Sequence, residues 1–195
     1  MGDHYQSLSF VDVTAEQAPA IADSAIAHLV GRGIVAAERT HCVLSNDTGH
    51  APGPHYALAL ANTEDAANDD LRELSACGVG VDLERHVAVG WNDSVTCPHC
   101  GWSDPLEEPD GEMRPIWERV SDALSDWWDG GSGEMPCPSC GKAVRLNDWQ
   151  GDFQATWAVS HLTLTFWNWP LLAEAFVEDL GRTLAYRVRH TGRKL

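Results

Sequence analysis

Two short repeats constrain this 195-residue chain more than anything else in it: Cys97-Pro98-His99-Cys100-Gly101 and Cys137-Pro138-Ser139-Cys140-Gly141. Each Cys-x-x-Cys pair can set two sulfurs on one side of an ion, and two such pairs complete a tetrahedron. Proline after the first cysteine presets φ for a tight turn. Glycine after the second accepts positive φ, which lets backbone N–H groups face the sulfurs. The competing readings are a pair of disulfides or redox-active thiols. Disulfides belong to oxidising compartments, and a redox motif usually occurs once, beside a βαβ pattern. Doubling of the motif favours a metal, zinc before iron.

These two knuckles, Cys97/Cys100 and Cys137/Cys140, resemble those of the zinc-ribbon family over about residues 94–147. The resemblance implies a structural Zn²⁺ held by four thiolates, with no open position for a substrate. The insert of residues 102–136 between the knuckles is longer than a minimal ribbon requires. His99 lies between two cysteines and is expected to point outward, because four sulfurs already fill the shell.

Charge then limits what such a module can bind. The chain carries 29 acidic against 13 basic side chains, for a net charge of −16. Residues 97–141 hold 10 acids and only 2 bases, whereas residues 142–195 hold 5 acids and 7 bases. A nucleic-acid-binding ribbon needs a basic face against phosphate. This one would repel a duplex, so the expected partner is another protein with a basic or apolar surface. No apolar run approaches the roughly 18 residues that span a bilayer. The start Met1-Gly2-Asp3-His4-Tyr5 lacks a basic region followed by an apolar block, so a cytoplasmic location is expected. Cys42 and Cys77 then read as small buried hydrophobes.

Periodicity suggests an α+β chain. Residues 5–13 alternate as a strand. Thr14 and Gln17 match a capping box before a helix striped by Ala18, Ile21, Ala22, Ala25 and Leu29. Gly31 and Gly33 stop it. A strand over 34–44, a Pro/Gly loop over 45–54, a short strand over 55–60, a helix from Asn62 or Thr63 to Leu74, and a strand over 79–89 follow. That order is βαββαβ, which predicts a ferredoxin-like unit over 1–90. A ribbon module over 91–148 carries an amphipathic helix with Ile116, Val120, Leu124 and Trp127. A C-terminal βαβ unit over 149–195 packs with the first part. It has a strand over 162–169, a helix opened by Pro170 and closed by Gly181, and a strand over 184–189.

Three further groups of side chains could carry chemistry or contacts. His41, Cys42, Asp47, His50 and His55 collect acid/base and nucleophile types in one loop, the basis of an alternative hydrolase reading. Against it, alternation sends His41 and Cys42 to opposite faces of a strand. Nine tryptophans are many for this length, and Trp102, Trp127, Trp128, Trp167 and Trp169 are candidates for an interaction surface. Tryptophan also fills cores, and these rings could instead join the ribbon to the main sheet. Finally, Arg187, Arg189, Arg193 and Lys194 form a basic end that reads as a solvated tail or as a neutraliser of acidic neighbours. The expectation is a non-enzymatic adaptor with structural zinc; the alternatives are the hydrolase and a nucleic-acid-binding ribbon.

Overall fold

A computed structural model describes residues 3–44, 48–62, 64, 71–74, 76–90, 94–106, 115–151 and 157–194. Twelve strands are described: β1 (His4–Phe10), β2 (Val35–Thr40), β3 (Gly49–Pro52), β4 (Gly78–Asp82), β5 (His86–Val89), β6 (Ser94–Thr96), β7 (Ser103–Pro105), β8 (Glu134–Pro136), β9 (Ala143–Arg145), β10 (Trp157–Ser160), β11 (Thr163–Trp167) and β12 (Val188–Lys194). The helices among the described residues are α1 (Ala18–Gly31), α2 (Pro115–Trp128) and α3 (Glu174–Leu184). Among the described residues no helix is long and apolar enough to cross a membrane.

Six strands form one antiparallel sheet in the order β12-β1-β11-β4-β3-β2. β1 pairs antiparallel with both β11 and β12, so those two run parallel with β1 between them and α3 connecting them. This is a split βαβ arrangement. It replaces the ferredoxin-like unit expected within 1–90. Alternating apolar residues set which face of a strand is buried but not which strand lies beside it. Both neighbours of β1 come from the far end of the chain.

Register sorts the side chains. Leu8, Phe10, Leu164, Phe166 and Val79 share the face covered by α1 and α3, where Ala18, Ala22, Ala25, Leu29, Phe176 and Leu180 complete one core. The opposite face carries Ser7, Ser9, Thr163, Thr165 and Thr191, all buried. Ser9 and Thr163 hydroxyls pair at 3.1 Å, and Thr163 also meets Ser160 of β10 at 2.8 Å. Around Thr14, the capping box forms as expected: the Thr14 N–H donates to Gln17 Oε1, and the Gln17 N–H donates to Thr14 Oγ1. Gly33, at φ +71°, makes the left-handed turn after α1.

Several expected elements differ. β3 lies inside the stretch read as a loop, because Gly49 fits where a side chain would strike the Val79 backbone. Residues 56–59 form a 3-10 turn, not a strand. The stretch 79–89 is divided between β4 in the large sheet and β5, which pairs with β10 outside it. Gly181 sits inside α3, where a side chain would press on the Tyr186 carbonyl at 2.9 Å. Ala185, at φ 59°, ends the helix instead. The helix expected over 62–74 lies largely outside the described residues; Leu71–Glu73 form a 3-10 turn.

A second core gathers Val95, Leu106, Ile116, Val120, Leu124, Met135, Val144, Leu146, Trp149, Trp157 and Val159 around the cysteines, with Val87 and Val89 against it. It draws in the β5–β10 pair as well as the β6–β7 and β8–β9 hairpins.

Candidate metal centre

Two hairpins present the cysteines. β6 pairs with β7 and β8 with β9, each through three residues. Cys97 directly follows β6 and Cys137 directly follows β8. The two turns then repeat each other bond for bond. The Cys97 N–H donates to the Trp102 carbonyl and the Gly101 N–H to the Cys97 carbonyl. The Cys137 N–H donates to the Lys142 carbonyl and the Gly141 N–H to the Cys137 carbonyl. Gly101 and Gly141 have φ of +71° and +69°. A Cβ at either would meet nothing within 4 Å, so glycine is there for its backbone conformation, not for space.

The four sulfurs of Cys97, Cys100, Cys137 and Cys140 all lie within 4.8 Å of one another. Cys100 Sγ and Cys137 Sγ, from different knuckles, are 3.8 Å apart. A tetrahedron with metal–sulfur arms of about 2.3 Å separates its corners by about 3.8 Å, so the donor set fits a zinc-sized ion. Cys97 and Cys137 are buried while Cys100 and Cys140 are exposed, which places the cluster at the surface of the second core.

Electrostatics set the condition under which all four thiols could ionise. Burial opposes ionisation of Cys137, but the N–H groups of Cys140 and Ser139 outweigh it and bring that thiol down to about 7. The Trp102 N–H favours the Cys100 thiolate, yet desolvation and the three neighbouring sulfurs push that thiol up to about 11. Four thiols this close cannot all ionise without a positive charge among them.

His99 is exposed and outside the sulfur cluster. Cys42 and Cys77 are buried and free, and burial, followed by the charge of Cys42, pushes the Cys77 thiol up to about 12. Such a thiol is inert.

The histidine loop does not converge. His41 is exposed, while Cys42 is buried just beyond the end of β2. His50 is 7% exposed and its Nδ1 bonds the Ala36 carbonyl. His55 Nδ1 bonds the Arg32 carbonyl across another turn. Asp47 lies outside the described residues.

The tryptophans divide. Trp128 is 61% exposed; Trp102 and Trp127 are half-buried against the second core. Trp167 and Trp169 do not share a face. Asn168, at φ 57°, turns the chain between them, a conformation asparagine tolerates. Trp167 stays half-buried against Tyr5, whereas Trp169 is fully buried edge-on to Phe166 and Tyr56.

Sequence reasoning missed the residues that fix this module to the sheet. Arg189 is not part of a solvated tail. Its guanidinium donates to the carbonyls of Trp157, Asn147 and Trp149, and burial, chiefly, brings its pKa down to about 10. Arg85 donates to the carbonyls of Trp127, Gly130 and Gly131 at the end of α2 and lies 4.3 Å from the Trp127 ring centroid. Arg187 does neutralise acids, bonding Asp12 and Asp148. The strand alternation of 184–189 was the available signal, since it places arginines on one face of a paired strand.

No family model matches this chain, and no curated protein or solved structure is significantly similar to it.

Proposed function

We propose that the chain is a zinc-stabilised, non-enzymatic adaptor whose partner is another protein. The observation that carries this reading is the closed set of four sulfurs, 4.8 Å or less apart, on two turns of matching geometry. Zinc held by four thiolates supplies binding energy for folding and no vacant position for a reactant. Cys97 and Cys137 would anchor the ion from the buried side, and Cys100 and Cys140 would close it from outside. The Gly101 and Gly141 turns hold these side chains in place.

Surface charge supports a protein partner. Glu118, Asp122 and Asp129 are exposed on or just after α2, as is Trp128 at its last residue. An acidic, aromatic face attracts a basic or apolar protein surface and repels phosphate. The bonds of His50 to the Ala36 carbonyl of β2 and of His55 to the Arg32 carbonyl favour structural roles over hydrolysis.

Elemental analysis of the reduced protein tests the metal. One zinc per chain is expected, together with a colourless solution, whereas iron would absorb visible light. No tightly held metal, or metal removable without any effect on melting, overturns the reading. A hydrolytic activity lost in His50→Ala or His55→Ala with the fold intact would overturn the non-enzymatic role.

A further inference from the structure

The two edges of the large sheet are finished differently. β2 carries a register irregularity between Val35 and Arg39, a common way to blunt an edge. β12 pairs regularly with β1 through all seven residues and ends the sheet. The Val11 N–H donates to the Arg187 carbonyl. Continued along the register, that parity turns the backbone groups of Arg189, Thr191 and Arg193 toward β1. Those of Val188, His190, Gly192 and Lys194 turn outward, and none of these residues is fully buried.

This edge lies in a groove. A cleft of about 810 Å³ is lined by four consecutive residues, Arg187 to His190. A sheet face would expose only alternate residues, so the cleft sits over the strand's edge. One wall is the Leu171–Leu172 turn with Val177, Glu174 and Glu178 of α3; the other is residues 147–151. A second cleft of about 290 Å³ lies at the far end of β12, lined by Gly192, Arg193 and Lys194 together with His4, Tyr5 and Gln6 of β1, and Leu171, 52% exposed, borders both clefts.

We infer that this groove receives an extended peptide segment of a partner protein, added antiparallel to β12 as a seventh strand. The inference rests on the protein-interaction reading above and adds a contact on the large sheet to the acidic face around α2. Outward N–H and C=O groups supply the ladder, and the walls supply selectivity. Glu174 and Glu178 stand at the start of β12, and Arg193 and Lys194 at its end. The antiparallel segment therefore carries acids at its N-terminal end, alternating apolar residues in the middle and bases at its C-terminal end. A second copy of this chain fits poorly. The central self-pairing registers set Arg189 against Arg189, Arg187 against Arg193, or Arg189 against Arg193.

The test uses a labelled peptide, acetyl-Asp-Glu-Val-Thr-Val-Thr-Val-Lys-Lys-amide, read by fluorescence anisotropy with the intact protein. Saturable binding is expected, and a peptide with its charged ends exchanged should bind about tenfold more weakly or worse. N-methylation of one alternate set of peptide amides should abolish binding, while methylation of the other set should leave it largely intact. Absence of binding, or equal responses to both methylated sets, overturns the inference. Gly192→Pro removes one outward N–H without touching the β1 ladder, and should weaken binding at least tenfold; if that variant does not fold, the methylation series decides alone. A dimer in sedimentation that Gly192→Pro dissolves would make the occupant a second copy and also overturn it. Zinc content is measured on the same samples. Intact zinc without peptide binding sinks this inference alone, and binding without zinc sinks only the metal reading.

Discussion

The two cores of this protein are assembled from different kinds of sequence. The first joins long-range partners, with Leu8 and Phe10 beside Leu164 and Phe166 and two helices over them. The second surrounds hairpins whose strands are three residues each, too short to persist alone. One core is held by apolar burial between distant segments. The other has a smaller apolar interior and a cluster of sulfurs in place of the missing strand length. On the proposed metal reading, one chain would draw stability from breadth of packing in one core and from a bound ion in the other.

Removing the ion should give the largest separation between them. Chelation, or Cys137→Ser, is expected to cost the second core on the order of 10 kcal/mol of apparent stabilisation. Near-UV circular dichroism of its tryptophans should collapse while far-UV signal from the large sheet largely persists; simultaneous loss of both would mean the cores are one cooperative unit. The opposite cut is Phe166→Ala, expected to cost about 3–5 kcal/mol and to lower the melting temperature without changing zinc content.

Smaller effects probe the seam. Arg189→Met leaves three carbonyls without their donor and should cost about 2–4 kcal/mol, with separate unfolding steps for the two cores by calorimetry. A single unchanged transition would show that Arg189 does not couple them.

Acid should act on the first core through His190, which burial holds at about 4, below the ordinary value near 6.5. Its Nε2 bonds Gln6 Oε1, whose amide nitrogen donates to the Trp169 and Pro170 carbonyls. The unfolded chain binds this proton more readily, so stability is full above pH 6.5 and falls as pH drops toward 4. On the order of 2 kcal/mol should be lost, and His190→Gln should flatten the difference between denaturant titrations at pH 7 and pH 5. The smallest change, Ala185→Gly, relieves a left-handed residue at the end of α3 and should raise stability by about 0.5–1 kcal/mol.

Most of the second region was legible because its signals are local. Cys97, Cys100, Cys137 and Cys140 sit at fixed spacing beside glycines that set their own turns, and Ile116, Val120 and Leu124 mark α2 by period alone. The first region was legible only in pieces. β1, α1 and β11 follow from alternation and capping, but no local pattern says that β1 will lie between β11 and β12. β3 was hidden because Gly49 and Pro52 read as turn residues, whereas here glycine allows close backbone approach. The turn at Asn168 and the partners of Arg189 escaped sequence reading for a related reason. Asn168 changes the direction of a single side chain, and Arg189 finds its carbonyl partners only after two distant segments meet.

The placement of β1 carries a consequence for biosynthesis. Its residues leave the ribosome before those of both its neighbours, and Ser9 meets Thr163, its cross-strand neighbour, only after 154 more positions are translated. At about 5–20 residues per second, an apolar segment waits unmatched for some ten seconds or longer. The cysteine turns are made during that interval and would be able to take up the proposed ion meanwhile. The region around the cysteine turns would therefore mature before the large sheet, with β1 sealed in only once β11 and β12 have emerged.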